Sequence, residues 1–169
     1  MTLVADEFLF IHVPRTGGSS ISQALRTEFA CTDIPRHQTF AEVVNTLGRS
    51  WWRFSFGFVR NPWDRMVSMH LGSGAHTDLA GWMRTGCPRN PRWGSLIQAD
   101  FVDGVEFVGR FEQLNRDFAQ ICSVLGVSLA LPHVGALAHT HYSDYYTDET
   151  RYMVETICKK DIDAFGYTF

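Results

Sequence analysis

Leu9-Phe10-Ile11-His12-Val13 runs directly into Pro14-Arg15-Thr16-Gly17-Gly18-Ser19-Ser20, and an apolar helical pattern resumes behind it. The order is strand, tight loop, helix. Two glycines let the backbone turn sharply and approach an anion, and the helix start behind them offers unpaired N–H groups and the positive end of its dipole. Arg15 adds a permanent planar cation with several donors, and Thr16, Ser19 and Ser20 add hydroxyls at the same place. A loop of this chemistry takes a phosphate or a sulfate. It is neither of the two best-known nucleotide loops, because the strings GxxxxGK[ST] and GxGxxG occur nowhere in the chain. Gly-Gly after a strand is often only a turn, so a functional reading needs a second segment.

That segment is Phe56-Gly57-Phe58-Val59-Arg60-Asn61-Pro62-Trp63-Asp64-Arg65-Met66-Val67-Ser68. An apolar strand ends at Arg60, Asn61 is a good N-cap, Pro62 suits the first helical position, and Asp64 sits in the first turn where a carboxylate complements the dipole. If the two strands are parallel neighbours, their carboxyl ends lie on one edge of the sheet, where open α/β folds bind ligands. Arg60 and the 14–20 loop then face one ligand.

The pair HVPRTGGSS and FVRNPWDRMVS resembles the two phosphosulfate-binding segments of sulfotransferases that use 3′-phosphoadenosine 5′-phosphosulfate (PAPS), with the carbohydrate type the nearest. The resemblance extends to Val108–Leu114 and to the C-terminal HYSDYYTDETRYMVETICKKDIDAFGY, and so covers most of the chain. It implies a three-layer, P-loop-like sulfotransferase fold and transfer of a sulfuryl group to a hydroxyl, with PAP as the nucleotide product. It implies that Arg15, Thr16, Gly17, Gly18, Ser19 and Ser20 hold the 5′-phosphosulfate, and that Arg60 and Ser68 hold the 3′-phosphate. Where the family usually has lysine this chain has Arg15, whose pKa above about 12 rules out proton donation. Arg15 is therefore expected to act by charge stabilisation of the departing phosphate.

An acceptor hydroxyl must lose its proton as it attacks sulfur, and histidine is the default base near neutral pH. Of the seven histidines, His37 is the choice. It precedes Thr39-Phe40-Ala41-Glu42, a capping-box pattern that places it on a loop entering a helix. The sulfotransferases that resemble this chain often place a histidine base between the two binding segments. His70, near Ser68, is the second candidate, and His12, inside the first strand, reads as a packed group. His139 and His141 have a spacing that invites a metal, but no third ligand follows at a recognisable interval, so no metal site is expected. The resemblance implies that this late loop lies near the nucleotide, so Tyr142 and Tyr145 are candidates either for touching it or for packing.

The chain has 169 residues, 45% of them apolar, which fits one soluble domain spanning 1–169. A net charge of −3 argues against a nucleic-acid or membrane-surface partner, and leaves the anion to local charge from Arg15, Arg60 and, unless it lies on a solvated face, Arg65. No signal peptide precedes the first strand and no apolar run is long enough to span a bilayer, so a cytoplasmic protein is expected. Cys31, Cys87, Cys122 and Cys158 are widely spaced and read as free thiols.

Apolar spacing places Ile21, Ala24, Leu25 and Phe29 on one helical face and Leu114, Phe118, Ile121, Cys122 and Leu125 on another. Thr147 opens a last helix carrying Val154, Ile157, Cys158 and Phe165 and ending before Gly166. With strands near 7–13, 54–59 and 106–109, the fold class is α/β, a small central parallel sheet flanked by helices. The stretch 72–104 differs in character and reads as an acceptor-facing lid, in which Trp82 and Trp93 could stack on a sugar or pack on the core. Arg84, Arg89 and Arg92 could meet an acidic acceptor there, whereas Trp51 and Trp52 read as structural. Two rivals stand beside sulfuryl transfer to a carbohydrate: a phosphotransferase or nucleotide hydrolase with a non-Walker loop, and a nucleotide-binding protein with weak or no transfer.

Overall fold

Three short apolar runs, β2 (Phe8–Ile11), β4 (Phe54–Val59) and β5 (Phe107–Arg110), pair parallel to one another. Two more strands, β1 (Thr2–Val4) and β3 (Thr32–Ile34), extend the sheet antiparallel on the β2 side, giving the order β3-β1-β2-β4-β5. The sheet is therefore mixed, not wholly parallel as the sequence suggested. Each added strand is three residues long, too short for a two-residue alternation to show. A computed structural model describes residues 2–34, 37–85, 96–134 and 140–169.

Alternation along the strands sends side chains to two layers. Leu3, Phe8, Phe10, Phe56 and Phe58 face α1 (Gly18–Leu25) and α6 (Leu114–Leu125), where they meet Ile21, Leu25, Phe118 and Ile121. Val4, Leu9, Ile11 and Val59 face the other way. There they join side chains of α2 (Phe40–Leu47), α3 (Pro62–Ser73), α4 (Leu79–Thr85), α5 (Gln98–Val102) and α7 (Asp148–Ile157). Phe8, Phe10, Phe56 and Phe58 are fully buried, each contributing about 1.5–3 kcal/mol by leaving water. Gly109 leaves room for one of them, since a Cβ there would lie 2.4 Å from the Phe58 ring.

The helix starts follow their caps. Thr39 accepts from the Glu42 N–H at 3.2 Å while Glu42 accepts from the Thr39 N–H at 2.7 Å, the expected capping box. Asn61 accepts from the N–H groups of Trp63 and Asp64 with Pro62 at the first position, as the sequence predicts. The expected single C-terminal helix is two, α7 and α8 (Lys159–Phe165), because the chain turns at Cys158. That break lets Asp161 point into the core.

Of the proposed lid stretch, residues 86–95, with Cys87, Arg89, Arg92 and Trp93, lie outside the described residues. Trp82 is a core side chain beside Met83 and Leu79, which is the packing reading, and Arg84 pairs with Glu149. Trp52 is buried against Phe40, while Trp51 is 58% exposed.

Candidate active site

The turn after β2 is built around two left-handed residues. Gly17, the N-cap of α1, has φ 81°, and Arg15 has φ 68°, a conformation that a side-chain-bearing residue adopts at a cost of order 1–3 kcal/mol. Thr16 is buried and donates its hydroxyl to the Val13 carbonyl at 2.9 Å, closing the turn. A Cβ at Gly17 would lie 2.9 Å from Leu114, so glycine also lets the loop pack on α6. The first turn of α1 has no side-chain cap and no acidic residue. Its leading N–H groups, which no intrahelical carbonyl can accept, are thus left for an anion. Ser19 is exposed there; Ser20 is buried and its hydroxyl bonds residue 134, accepting from the Val134 N–H at 3.2 Å.

Parallel pairing of β2 and β4 brings the second segment beside this loop. Arg60 donates from Nη1 to the Arg15 carbonyl at 3.2 Å, and Arg15 donates from Nε to Ser68 Oγ at 3.0 Å. Arg60 is buried, paired with Asp64 at 2.7 Å, and lies 4.0 Å over the Phe111 ring. The structure thus gathers Arg15, Arg60, Ser68 and the start of α1 at one edge of the sheet. Gly72, one turn beyond Ser68, borders the same place: a Cβ there would stand 3.2 Å from Arg15 Cζ.

Beneath the loop lies a polar frame that the sequence reading did not find. Arg65, allowed for as a solvated face, is buried instead and donates from Nε to the Pro14 carbonyl and from Nη1 to the Leu96 carbonyl, at 2.9 and 2.6 Å. Gln98 bonds both backbone groups of Arg60, accepting from its N–H at 2.9 Å and donating to its carbonyl at 2.8 Å. Asp161 accepts from the N–H groups of Gln98 and Ala99 at 2.9 and 2.8 Å. Burial pushes the Asp161 carboxyl up, while those two N–H bonds draw it down. Glu112 accepts from the Asn61 N–H at 2.6 Å, so β5 and its following turn also fix the second segment.

His37 stands beside the same loop. Its Nδ1 is 3.0 Å from the His12 carbonyl, and the two imidazole rings meet edge to face at 5.0 Å. A carbonyl can only accept, so Nδ1 carries the proton and Nε2 keeps a lone pair. Burial lowers the His37 pKa from its ordinary value and so favours the neutral imidazole, opposed by the hydrogen bond to His12. His12 packs on the start of α1, where a Cβ at Gly18 would fall 2.1 Å from its Nε2. His70, the second candidate, is buried under Trp82 with Nε2 donating to the Thr77 carbonyl at 2.8 Å, and its Nδ1 is buried with no hydrogen-bond partner among the described residues.

Two solved structures share this arrangement of elements. Mouse sulfotransferase SULT7A1, crystallised with PAP, superposes with a TM-score of 0.65 at 12% identity, over 93% of this chain and 84% of that one. A sulfotransferase from Alicyclobacillus acidocaldarius superposes with a TM-score of 0.51 at 13% identity, over 98% and 97%. The chain has the sulfotransferase fold. No protein-family model matches the sequence, and no curated protein does.

Within that sulfotransferase fold the late loop packs beside the second segment. Tyr142 stacks edge to face on Phe169 at 5.6 Å, and burial raises its hydroxyl pKa, with Asp64 adding to the shift. Tyr146 donates to the Trp63 carbonyl at 2.8 Å. His141 caps the turn Tyr142–Tyr145 by accepting from the Ser143 N–H, and His139 lies outside the described residues. Among the described residues no three ligating side chains converge, and Cys31, Cys122 and Cys158 are free thiols. No described helix is long and apolar enough to cross a membrane.

Proposed function

We propose that this chain is a PAPS-dependent O-sulfotransferase that moves a sulfuryl group to an acceptor hydroxyl on a carbohydrate. The observation that carries the reading is the 3.0 Å contact of His37 Nδ1 with the His12 carbonyl, which needs a proton on Nδ1 and so turns Nε2 into the nitrogen able to take a proton beside the glycine loop. The uncapped start of α1, with no carboxylate in its first turn, fits the 5′-phosphosulfate. Arg60 and Ser68 fit the 3′-phosphate, as the two segments' resemblance implies. The carbohydrate class rests on that resemblance.

PAPS, when bound, supplies the sulfuryl group: its sulfur gains a bond to the acceptor oxygen as the bond to the 5′-phosphate oxygen breaks. The chain's own residues do the rest. His37 Nε2 takes the hydroxyl proton and becomes imidazolium. Arg15 and the α1 N–H groups stabilise the charge left on the phosphate, without donating a proton to it. Asp64 and Phe111 hold the Arg60 guanidinium from two sides, so its position is set before any ligand arrives.

The test is His37→Ala, with PAP release followed in the presence of PAPS and a panel of sugar and phenol acceptors. Turnover should fall by about 10²–10⁴, the range for losing a positioned base, while PAP affinity stays within about twofold, since His37 is not assigned to the nucleotide. Unchanged turnover removes His37 as the base.

A further inference from the structure

We infer that Gly72 is the positioning residue for Arg15, a side-chain-free shelf on α3 that lets an arginine guanidinium lie flat beside Ser68. The inference deepens the function proposed above and rests on it for its functional consequence. Three atoms of the guanidinium surround the place a Cβ would take: Cζ and Nη1 at 3.2 Å and Nη2 at 3.4 Å. Near-equal distances to all three mean that the plane of the group faces the helix. Its Nε donates to Ser68 Oγ at 3.0 Å. Ser68 and Gly72 are four residues apart on α3, so they lie one above the other on one helix face. One supplies the hydrogen bond and the other the surface.

Two further observations make this a fitted contact. Glycine inside a helix is less favourable than alanine, so Gly72 costs α3 stability unless something requires it. The requirement comes from outside the helix, because the three atoms nearest that position all belong to Arg15. Arg15 is held at both ends: its backbone is in the left-handed region with its carbonyl accepting from Arg60, and its guanidinium donates to Ser68. Gly72 lies in the last turn of α3, where the negative end of the helix dipole favours a cation. A lysine's narrow ammonium stem needs no such shelf; the broad, planar guanidinium does. Gly72 acts through Arg15 and touches no reacting atom.

The experiment is a double-mutant cycle on the full chain with Gly72→Ala, Arg15→Lys and the pair, read by PAP titration calorimetry and, without nucleotide, by the urea midpoint. Gly72→Ala should weaken PAP binding by about tenfold in the wild-type background, a coupling in the middle of the range for contacting residues, and by less than about twofold when Lys replaces Arg15. In urea, Gly72→Ala should raise the midpoint more in the Arg15→Lys background than in the wild type, because alanine's helical gain is then unopposed. Equal effects of Gly72→Ala in both backgrounds, in urea and in PAP binding, overturn the shelf. The urea arm needs no ligand, so a wild-type protein that does not prefer PAP would refute the functional reading while the cycle still decides the contact.

Discussion

Gln98 takes the place that one more strand residue would occupy beside Arg60, and replacing it with leucine should be among the most damaging single changes in the chain. Its side chain is fully buried, accepts from the Arg60 N–H at 2.9 Å and donates to the Arg60 carbonyl at 2.8 Å. Gln98→Leu keeps the bulk and leaves both backbone groups without partners. Each such buried group costs about 1–3 kcal/mol, giving about 2–6 kcal/mol, from which the extra apolar burial of leucine returns about 1 kcal/mol. With a urea slope of about 2 kcal/mol per molar for a domain of this size, the unfolding midpoint should fall by about 0.5–2.5 M. Gln98→Glu should also destabilise, because it keeps the acceptor for the Arg60 N–H but sets a buried carboxylate oxygen against the carbonyl unless it takes up a proton. The assay is urea unfolding followed by far-ultraviolet circular dichroism, paired with PAP titration. A leucine variant within about 0.5 kcal/mol of wild type would refute the view that this carboxamide holds the end of β4.

Other outcomes follow from the same geometry. Asp161→Ala should cost at least about 2 kcal/mol in urea unfolding, since the buried N–H groups of Gln98 and Ala99 lose their acceptor. Gly18→Ala should lower both stability and turnover although helix propensity alone favours alanine by about 1 kcal/mol, because its Cβ would sit 2.1 Å from His12, which packs against His37; a more stable and fully active variant would contradict it. Burial lowers the His37 pKa, so the neutral imidazole persists to more acidic pH than an ordinary histidine, and the pH–rate profile should hold its plateau below about pH 6.5. The matching stability is fully present above the unfolded value and is lost as pH falls through the lowered folded one; His37→Asn should remove that segment of the stability–pH curve.

Much of the site was legible because its elements carry strong local signals. The strand-loop-helix at 9–20 and the capped helix after Asn61 declare themselves through glycines, an N-cap and Pro62, and parallel pairing of β2 with β4 then brings Arg15 and Arg60 together. The capping box at Thr39 similarly located His37 on a loop, although its partner, the His12 carbonyl, is a backbone atom that no residue pattern announces. The frame below the loop was not legible. Gln98 and Asp161 are 63 positions apart, and each looks in sequence like an ordinary polar residue at a helix start. Arg65 was open to a surface reading because the turn around it is amphipathic, and only the tertiary fold shows its guanidinium under Pro14. Gly72 reads in sequence as the end of a helix and the start of a looser stretch; that its position faces the Arg15 guanidinium shows only in the fold.

The most direct test of the central claim is a calorimetric comparison of PAP, AMP and ATP with magnesium on the wild-type protein under one salt condition. If the two segments hold a 3′- and a 5′-anion together, PAP should bind about ten- to a hundredfold tighter than AMP, the worth of one or two charged hydrogen bonds to the extra phosphate. AMP binding as tightly as PAP, or a preference for ATP with magnesium, would contradict the account.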